Sequence, residues 1–576
     1  MTKELFAVVL LSATVAVAGE KTPLWPEGKM PFANDTQVAA PGSEVKAPGF
    51  DRAAHRMPYL EWAERPSNPN GALVLILPGG GYYQTGDGAF RFVEEKLVEA
   101  GYACAWVFYR TPRVKGRPYY ETAWADGQRA VRLVRAAAAE RGYDPEKIGV
   151  VGCSAGGHLA LLLGTSALTS AYARVDATDD VPCHVNWAMP ICPAYVLTDG
   201  LGTRNAKGGE GEGVRVDSLF KFDAKTCPMC FFHGGLDPYS PLGSTQVYRR
   251  LRQMGIPAEL HLDADRKHGL YDITSRFARG LEFMRQMNFD GRLGEEVALM
   301  SRYATDDDRA SYEKQALWPE GRTPNLCTNQ CTPFIEWHLP KTLKTKAIQI
   351  IYSGGSYKGN GPDGFEVAPA RRYLNARGMT VVTMKYRTPR PLGGLAKHVT
   401  AWQDLQRAVR LVRSQAKERG LDPDRIGIMG SSAGGHLTLM GVTSSGEASY
   451  APFDEIDTLP CNVQWAVAIY PAYALTDGVD KHNTTGGNDD SAVLVPEFKF
   501  DKGICPMLFV HGDADGWAAM NSVKCWEKLR REGVQSDLHT LATRKHCFQK
   551  AAAPGTGSYT FLDRIGEFLT KKGFDR

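Results

Sequence analysis

The chain has 576 residues, more than one hydrophobic core organises, so two domains are expected. Its composition is that of an ordinary globular protein, with 43% hydrophobic, 23% charged and 10% aromatic residues. Lys and Arg number 68 against 64 Asp and Glu, and the resulting charge of +4 is too small at this size to point to nucleic acid or an anionic membrane.

In chain order, the first element is a leader. Lys3 gives a positive start, Leu5 to Val17 is apolar, and Ala16-Val17-Ala18 has the small-x-small form of a cleavage site. Residues 1–18 are expected to be a signal peptide cleaved near Ala18, which would make the protein secreted or periplasmic. No later apolar stretch is long enough to span a bilayer, so no membrane partner is expected.

Next comes a strand-like run, Ala72 to Leu77, ending in Pro78-Gly79-Gly80-Gly81. Phe90 to Glu99 has helical spacing, and Tyr102 to Phe108 reads as a strand. Trp124 to Ala139 is an amphipathic helix whose Arg129, Arg132 and Arg135 are expected to face water. Ile148 to Val151 is a short apolar strand leading into Gly152-Cys153-Ser154-Ala155-Gly156-Gly157-His158. Val185 to Ile191, Met229 to His233 and Glu259 to Leu262 follow as strands, and Gln246 to Met254 and Ser275 to Met287 as helices. This alternation predicts an α/β fold, a mostly parallel sheet flanked by helices.

The whole pattern then recurs about 278 residues later, a period that means duplicated domains rather than a solenoid. Tyr109-Arg-Thr-Pro-Arg113 returns as Tyr386-Arg-Thr-Pro-Arg390, and Gly152 to His158 as Gly430-Ser431-Ser432-Ala433-Gly434-Gly435-His436. The predicted domains are 19–293 and 294–576, joined between about Asn288 and Gln315, where Asp306-Asp307-Asp308 marks a surface connection.

Each copy carries Gly-x-Ser-x-Gly between strand and helix, the context in which a serine hydroxyl is exposed on a tight turn. An acid and then a histidine should follow the serine in the chain. Phe231-Phe232-His233-Gly234-Gly235-Leu236-Asp237 supplies the first acid, and Arg266-Lys267-His268 the first base. Ser154, Asp237 and His268 form one candidate triad, and Ser432, Asp515 and His546 the other.

Their competitors read as structural. His158 and His436 lie one helical turn after the serines, and His233 and His511 precede the glycine of the acid turn. Asp126 and Asp404 read as carboxylates near a helix start. Asp513 has Gly235 at its matching position, which excludes it as a shared acid, and Asp272 follows His268 too closely.

The glycine loop supplies the oxyanion donors: Gly81 with Ala155 and Ser356 with Ala433, with Gly80 and Gly355 as further donors. Tyr82, Tyr239, Tyr357 and Trp517 are candidate sugar-stacking residues, as are Tyr83, Tyr195 and Tyr473, although aromatic loop residues also serve packing. No cofactor and no metal is expected; Cys227-Pro228-Met229-Cys230 has no second pair to complete a zinc site. Export would favour disulfides, and one per repeat, Cys183–Cys227 and Cys461–Cys505, is expected, with free buried thiols as the alternative. Cys327 and Cys331 could close a small loop.

Pro-Gly-Gly-Gly-Tyr, Tyr-Arg, Gly-x-Ser-Ala-Gly-Gly-His-Leu, His-Gly-x-x-Asp and a late His together resemble the α/β-hydrolase esterases. More narrowly, they resemble the secreted carbohydrate acetylesterases, such as acetylxylan esterases, and their BD-FAE-like and dienelactone-hydrolase-like relatives. The resemblance implies two tandem α/β-hydrolase domains, metal-free Ser–His–Asp chemistry and an acetylated polysaccharide or oligosaccharide as substrate. The departures are the tandem arrangement and Pro78 or Ser353 where many relatives have His before the glycines. Feruloyl esterase and prolyl-oligopeptidase-like peptidase are the alternative enzyme readings, although nothing in the chain has the blade-like repeats that usually accompany the latter. The non-enzyme alternative is a carbohydrate-binding protein with one inactive hydrolase-fold domain.

Overall fold

A computed structural model of the chain describes residues 19–33, 57–86, 88–198, 214–269, 277–289, 309–327, 332–476, 492–500, 503–551 and 560–576. The expected signal peptide, Asp272, Asp306 to Asp308 and Cys331 lie outside the described residues. Among the described residues no helix is long and apolar enough to cross a membrane.

The first compact unit comprises Met1–Phe232, Asp237–Gly243 and His268–Leu293. Its strands are β1 (Lys21–Pro23), β2 (Tyr59–Trp62), β3 (Leu73–Leu77), β4 (Ala103–Phe108), β5 (Ile148–Cys153), β6 (Trp187–Ile191) and β7 (Met229–Gly234), in the order β1-β2-β4-β3-β5-β6-β7. From β4 to β7 every pairing is parallel, and β1 and β2 add an antiparallel edge. Every residue of β3 and β5 is buried, which is why these strands read as unbroken apolar runs rather than alternating ones. The helix Ala155–Thr165 behind β5 is buried along its whole length.

The second compact unit comprises His233–Leu236, Ser244–Lys267 and Gly294–Arg576. It therefore takes in most of the helix Leu242–Gln253 and the strand β8 (Ala258–Asp263), both belonging to the first sequence repeat. Its other strands are β9 (Arg309–Ala316), β10 (Phe334–Pro340), β11 (Ile348–Tyr352), β12 (Thr380–Lys385), β13 (Ile426–Ser431), β14 (Trp465–Ile469), β15 (Met507–Gly512) and β16 (Asp537–Leu541). The order is β8-β16-β15-β14-β13-β11-β12-β10-β9, parallel from β16 to β12 and antiparallel at both ends.

At the β8–β16 pair His261 faces His539, and repeat-equivalent residues trade bonds. Glu259 accepts from the Ala542 N–H at 2.9 Å, and Asp537 from the Ala264 N–H at 2.9 Å. Asp513 joins this junction, accepting from the N–H groups of Ala258 and Thr543 and lying 3.3 Å from the Arg252 guanidinium. Burial pushes its carboxyl up to about 6. A structural bond thus explains an aspartate that the first repeat lacks.

The Arg-rich helix departs from expectation. It spans Glu121–Ala136, and Arg129 and Arg135 are buried rather than wet. Arg129 forks onto Asp176 and Asp179, while Arg135 donates to the carbonyls of Pro145, Pro182 and His184. Guanidinium groups enter the interior when every N–H finds an oxygen, and a helical-periodicity argument cannot see those oxygens. Asp126 sits mid-helix, ion-paired with Arg110 at 2.8 Å and accepting from the Trp25 indole, and Asp404 repeats this with Arg387 and Trp318. These carboxylates hold the Tyr-Arg loop to the helix and are not helix-dipole partners.

The expected disulfides are absent among the described residues, where the cysteines are free thiols. Cys183 Sγ donates to the Ala167 carbonyl at 3.3 Å and Cys461 Sγ to the Ser445 carbonyl at 3.4 Å. Burial raises the Cys227 thiol and pushes Cys505 up to about 12, which keeps both inert. Denaturing the protein without reductant should therefore expose at least eleven thiols to Ellman's reagent. Eight or fewer of the twelve would restore both expected bridges.

Candidate active site

Both serines sit in a backbone conformation that L-residues avoid. Ser154 has φ 57° and ψ −117°, and Ser432 φ 57° and ψ −120°, each at the junction of a strand and the helix behind it. The flanking glycines make this turn possible. A β-carbon on Gly152 would collide with the Gly156 carbonyl, and one on Gly156 with the Leu77 carbonyl; Gly430 meets the same constraint against Gly434. Strain held this way at a strand end marks a functional position.

The structure brings Ser154, His268 and Asp237 together. His268 Nε2 is 2.7 Å from Ser154 Oγ, and its Nδ1 lies 2.9 and 2.8 Å from the two Asp237 carboxylate oxygens. In the second unit His546 Nε2 is 2.8 Å from Ser432 Oγ, and its Nδ1 is 2.7 Å from Asp515 Oδ2. The acids are anchored by the chain itself: Asp237 accepts from the Tyr239 N–H at 2.8 Å and Asp515 from the Trp517 N–H at 2.7 Å. Burial works to raise the Asp515 carboxyl, but His511 and His546 outweigh it and hold it at about 2. It therefore stays ionised and keeps the His546 Nδ1 proton directed at itself, leaving Nε2 free to accept from the serine.

The competing histidines have partners of their own, and His511 also lies beside the triad acid, its Nε2 3.3 Å from Asp515 Oδ2. His158 Nδ1 is 2.8 Å from the Tyr82 hydroxyl, and burial, with the Arg113 charge, depresses its pKa to about 3. His233 and His511 bond Ser244 and Ser522, each at 2.8 Å.

The glycine loop lies against the nucleophile. A β-carbon built on Gly79 would sit 3.2 Å from Ser154 Cβ, and one on Gly354 would sit 2.6 Å from Ser432 Cβ. Gly80 (φ 129°) and Gly355 (φ 95°) take conformations and close approaches that only glycine permits. Ser356 holds φ 56° where its counterpart Gly81 holds 64°. Ala155 and Ala433 open the helices after the serines.

The two loops are pinned differently, and sequence reasoning missed both pins. Arg113 donates to the Gly81 carbonyl at 2.9 Å and to the Tyr195 hydroxyl at 2.8 Å. Glu366 accepts from the Gly354 N–H at 2.7 Å and from the Tyr470 hydroxyl at 3.0 Å. Arg113 stood in plain view in the repeated Tyr-Arg-Thr-Pro-Arg motif, whereas nothing local marks Glu366.

Tyr82 and Tyr357 are corrected. Both are 1% exposed, with their hydroxyls on His158 and His436 and their rings among Tyr109, Tyr195 and their counterparts. They pack beneath the loop and present no face to a sugar. Trp517 is also buried, edge-on to Tyr473 at 4.6 Å. Tyr239 is partly exposed, its ring 4.9 Å from that of His268. In the first unit Cys153 and Cys192 bring their sulfurs to 3.4 Å behind the serine, where the second unit has Ser431 and Tyr470.

Among the described residues, three groupings of His, Cys, Asp or Glu that lie within a single unit are candidate ligand sets. Cys192 with Asp237 and His268 overlaps the candidate triad. Asp263, Asp537 and His539 already hold the Lys571 ammonium, 3.1 Å from Asp537 and 3.8 Å from Asp263. His398, His436 and Glu497 form a further grouping, and the Lys397 charge is felt by both of its imidazoles.

A buried parallel sheet, a strained serine at a strand end and a histidine–carboxylate pair beside it are the marks of α/β-hydrolase-type esterases. The chain belongs to the BD-FAE family, whose model matches residues 63–188 and 335–529, more than half of its length. LipM of Mycobacterium tuberculosis, named as a carboxylic ester hydrolase, is 31% identical over 143 residues, which is 24% of this chain and 31% of LipM. An acetylxylan esterase of Xylanibacter ruminicola is 33% identical over 106 residues, 17% of this chain and 19% of that protein. The chain thus spans less than a third of the length of either relative. Among solved structures, an acetyl ester-xyloside bifunctional hydrolase from Caldicellulosiruptor lactoaceticus aligns with TM-score 0.39 and 23% identity, covering 47% of this chain and 99% of its own.

Because Asp515 titrates below the ordinary aspartate value of about 3.9, it contributes stability above that pH and loses it as pH falls toward 2. Asp515→Asn should be less stable than wild type at pH 7 by about 2–3 kcal/mol, with the gap closing between pH 5 and pH 2 in urea titrations. A gap independent of pH would contradict this assignment.

Proposed function

We propose that the protein is an exported carboxylic-ester hydrolase that removes O-acetyl groups from plant or algal polysaccharides, with a working Ser–His–Asp triad in each repeat, 19–293 and 294–576. The observation that carries the reading is the hydrogen-bonded chain from serine through histidine to a buried aspartate, present twice with matching distances. Membership of the BD-FAE family supports ester hydrolysis. The acetylxylan esterase among the relatives and the apolar leader support the substrate class and export.

In this reading His268 or His546 takes the serine proton as Oγ attacks the ester carbonyl carbon. The oxygen that gains charge meets N–H groups of the glycine loop and of Ala155 or Ala433, at the positive end of a helix. The tetrahedral adduct collapses, the C–O bond to the sugar breaks, and the histidine gives its proton to the departing alkoxide. Water then attacks the acyl-serine, losing its proton to the same histidine, and acetate leaves as the serine regains its proton.

Ser154→Ala and Ser432→Ala should each remove one unit's share of acetate release from acetylated xylan. Together they should lower kcat by at least about 10⁴-fold, since the attacking atom itself is gone. Retention of wild-type rates in the double variant would refute the mechanism. Release of ferulate but not acetate from a glycan panel would replace the substrate.

A further inference from the structure

The second unit carries a side-chain cluster that the candidate triad does not use. His398 is the residue before the helix Val399–Gln415, and His436 lies one turn into the helix that follows Ser432. Glu497 comes from the segment before Phe498. His436 Nε2 is 3.7 Å from Glu497 Oε1, and His398 Nδ1 is 4.0 Å from the same oxygen. Both separations are too long for hydrogen bonds. One atom from each of the three residues lies within 4.8 Å of the other two.

The two imidazoles are 0% and 7% exposed, yet His436 Nε2 and His398 Nδ1 have no hydrogen-bond partner. Leaving two such nitrogens unpaired beside a carboxylate is costly unless something joins them. Burial, then the neighbouring His436, lowers His398 to about 4, and burial also lowers His436.

We propose that His398 Nδ1, His436 Nε2 and the Glu497 carboxylate bind a divalent transition-metal ion of the zinc class in the second unit. Two imidazoles and a carboxylate are a known three-ligand set for zinc, leaving a fourth position for water. Bonds of about 2.0–2.1 Å imply ligand–ligand edges near 3.3 Å, so the two His–Glu edges need to close by less than about 1 Å. Glu497 keeps a quarter of its side chain exposed, which gives the ion a path in.

The outer contact also fits. His436 Nδ1 is 2.8 Å from the Tyr357 hydroxyl, so coordination through Nε2 leaves the Nδ1 proton to donate to Tyr357. Tyr357 (φ 57°) follows Ser356 in the glycine loop, so the ion would hold that loop through one imidazole.

The first repeat is a built-in control. Tyr120 stands where His398 does and Leu219 where Glu497 does, whereas His158 repeats His436 and its bond to tyrosine. The phenylalanines next door, Phe220 and Phe498, each lie 5.2 Å from their histidine. Two of the differences between the repeats at this place thus supply ligands, while a third sets Lys397 where the first repeat has Tyr119. The proposal stands independently of the ester-hydrolase reading, because its test reads metal and not turnover.

The full chain without a polyhistidine tag is stripped with chelator, dialysed against micromolar zinc and assayed for bound metal by mass spectrometry. Wild type should hold one zinc more per chain than the double variant His398→Tyr with Glu497→Leu, which installs the first repeat's own residues. Zinc should raise the melting temperature of wild type and leave that of the double variant unchanged. Glu497→Gln, which keeps the shape of the side chain, should bind zinc at least tenfold more weakly. Equal zinc content in wild type and double variant, or unchanged affinity in Glu497→Gln, would overturn the proposal.

Discussion

Everything in each site depends on one strained residue, the serine held at φ 57° between a strand and a helix. That conformation lifts the hydroxyl clear of the sheet and puts it at the start of a helix, where developing negative charge is favoured. It costs about 1–2 kcal/mol, and the surrounding packing has to hold it. The glycines two residues before and after the serine let the turn close, and the apolar helix behind it is buried along its whole length. With the serine fixed, the histidine and aspartate need only lie on turns that reach it, and both units bring them within hydrogen-bond distance.

The two units share this centre and differ around it. In the first, Arg113 reaches from the Tyr-Arg motif to the Gly81 carbonyl; in the second, Glu366 grips the Gly354 N–H from the opposite polarity. A thiol pair lies behind the first serine, while Tyr470 stands edge-on to His546 in the second, ring centres 4.8 Å apart. Gly81 to Ser356 continues this divergence in the loop itself. The atoms that would react match between the units, and their supports differ.

The sequence exposed the centre because chain order and spacing are local signals. The apolar runs of β3 and β5 marked strands buried on both faces, and Gly-x-Ser-x-Gly marked the turn. The repeat also disposed of Asp513, which the structure places at the β8–β16 junction. What stayed hidden depended on partners distant in sequence. Arg129 and Arg135 read as exposed because their oxygens come from residues 10 to 105 positions away. Tyr82 read as a binding residue because a loop aromatic looks the same whether its hydroxyl meets a ligand or a buried His158. Cysteines at matching repeat positions suggested bridges, yet the sulfurs of Cys183 and Cys461 found carbonyls instead. The grouping of β8 with the second unit rests on Glu259 and Asp537 contacts that no pattern within either repeat contains.

The central claim is that Ser154 and Ser432 are both activated nucleophiles. A fluorophosphonate probe forms a covalent bond only with a serine whose proton is taken by a neighbouring base. Peptide mapping of the labelled full chain should find adducts on Ser154 and Ser432, each lost when His268 or His546 of the same triad is replaced by alanine. Labelling of any other serine, or of neither, would contradict the account.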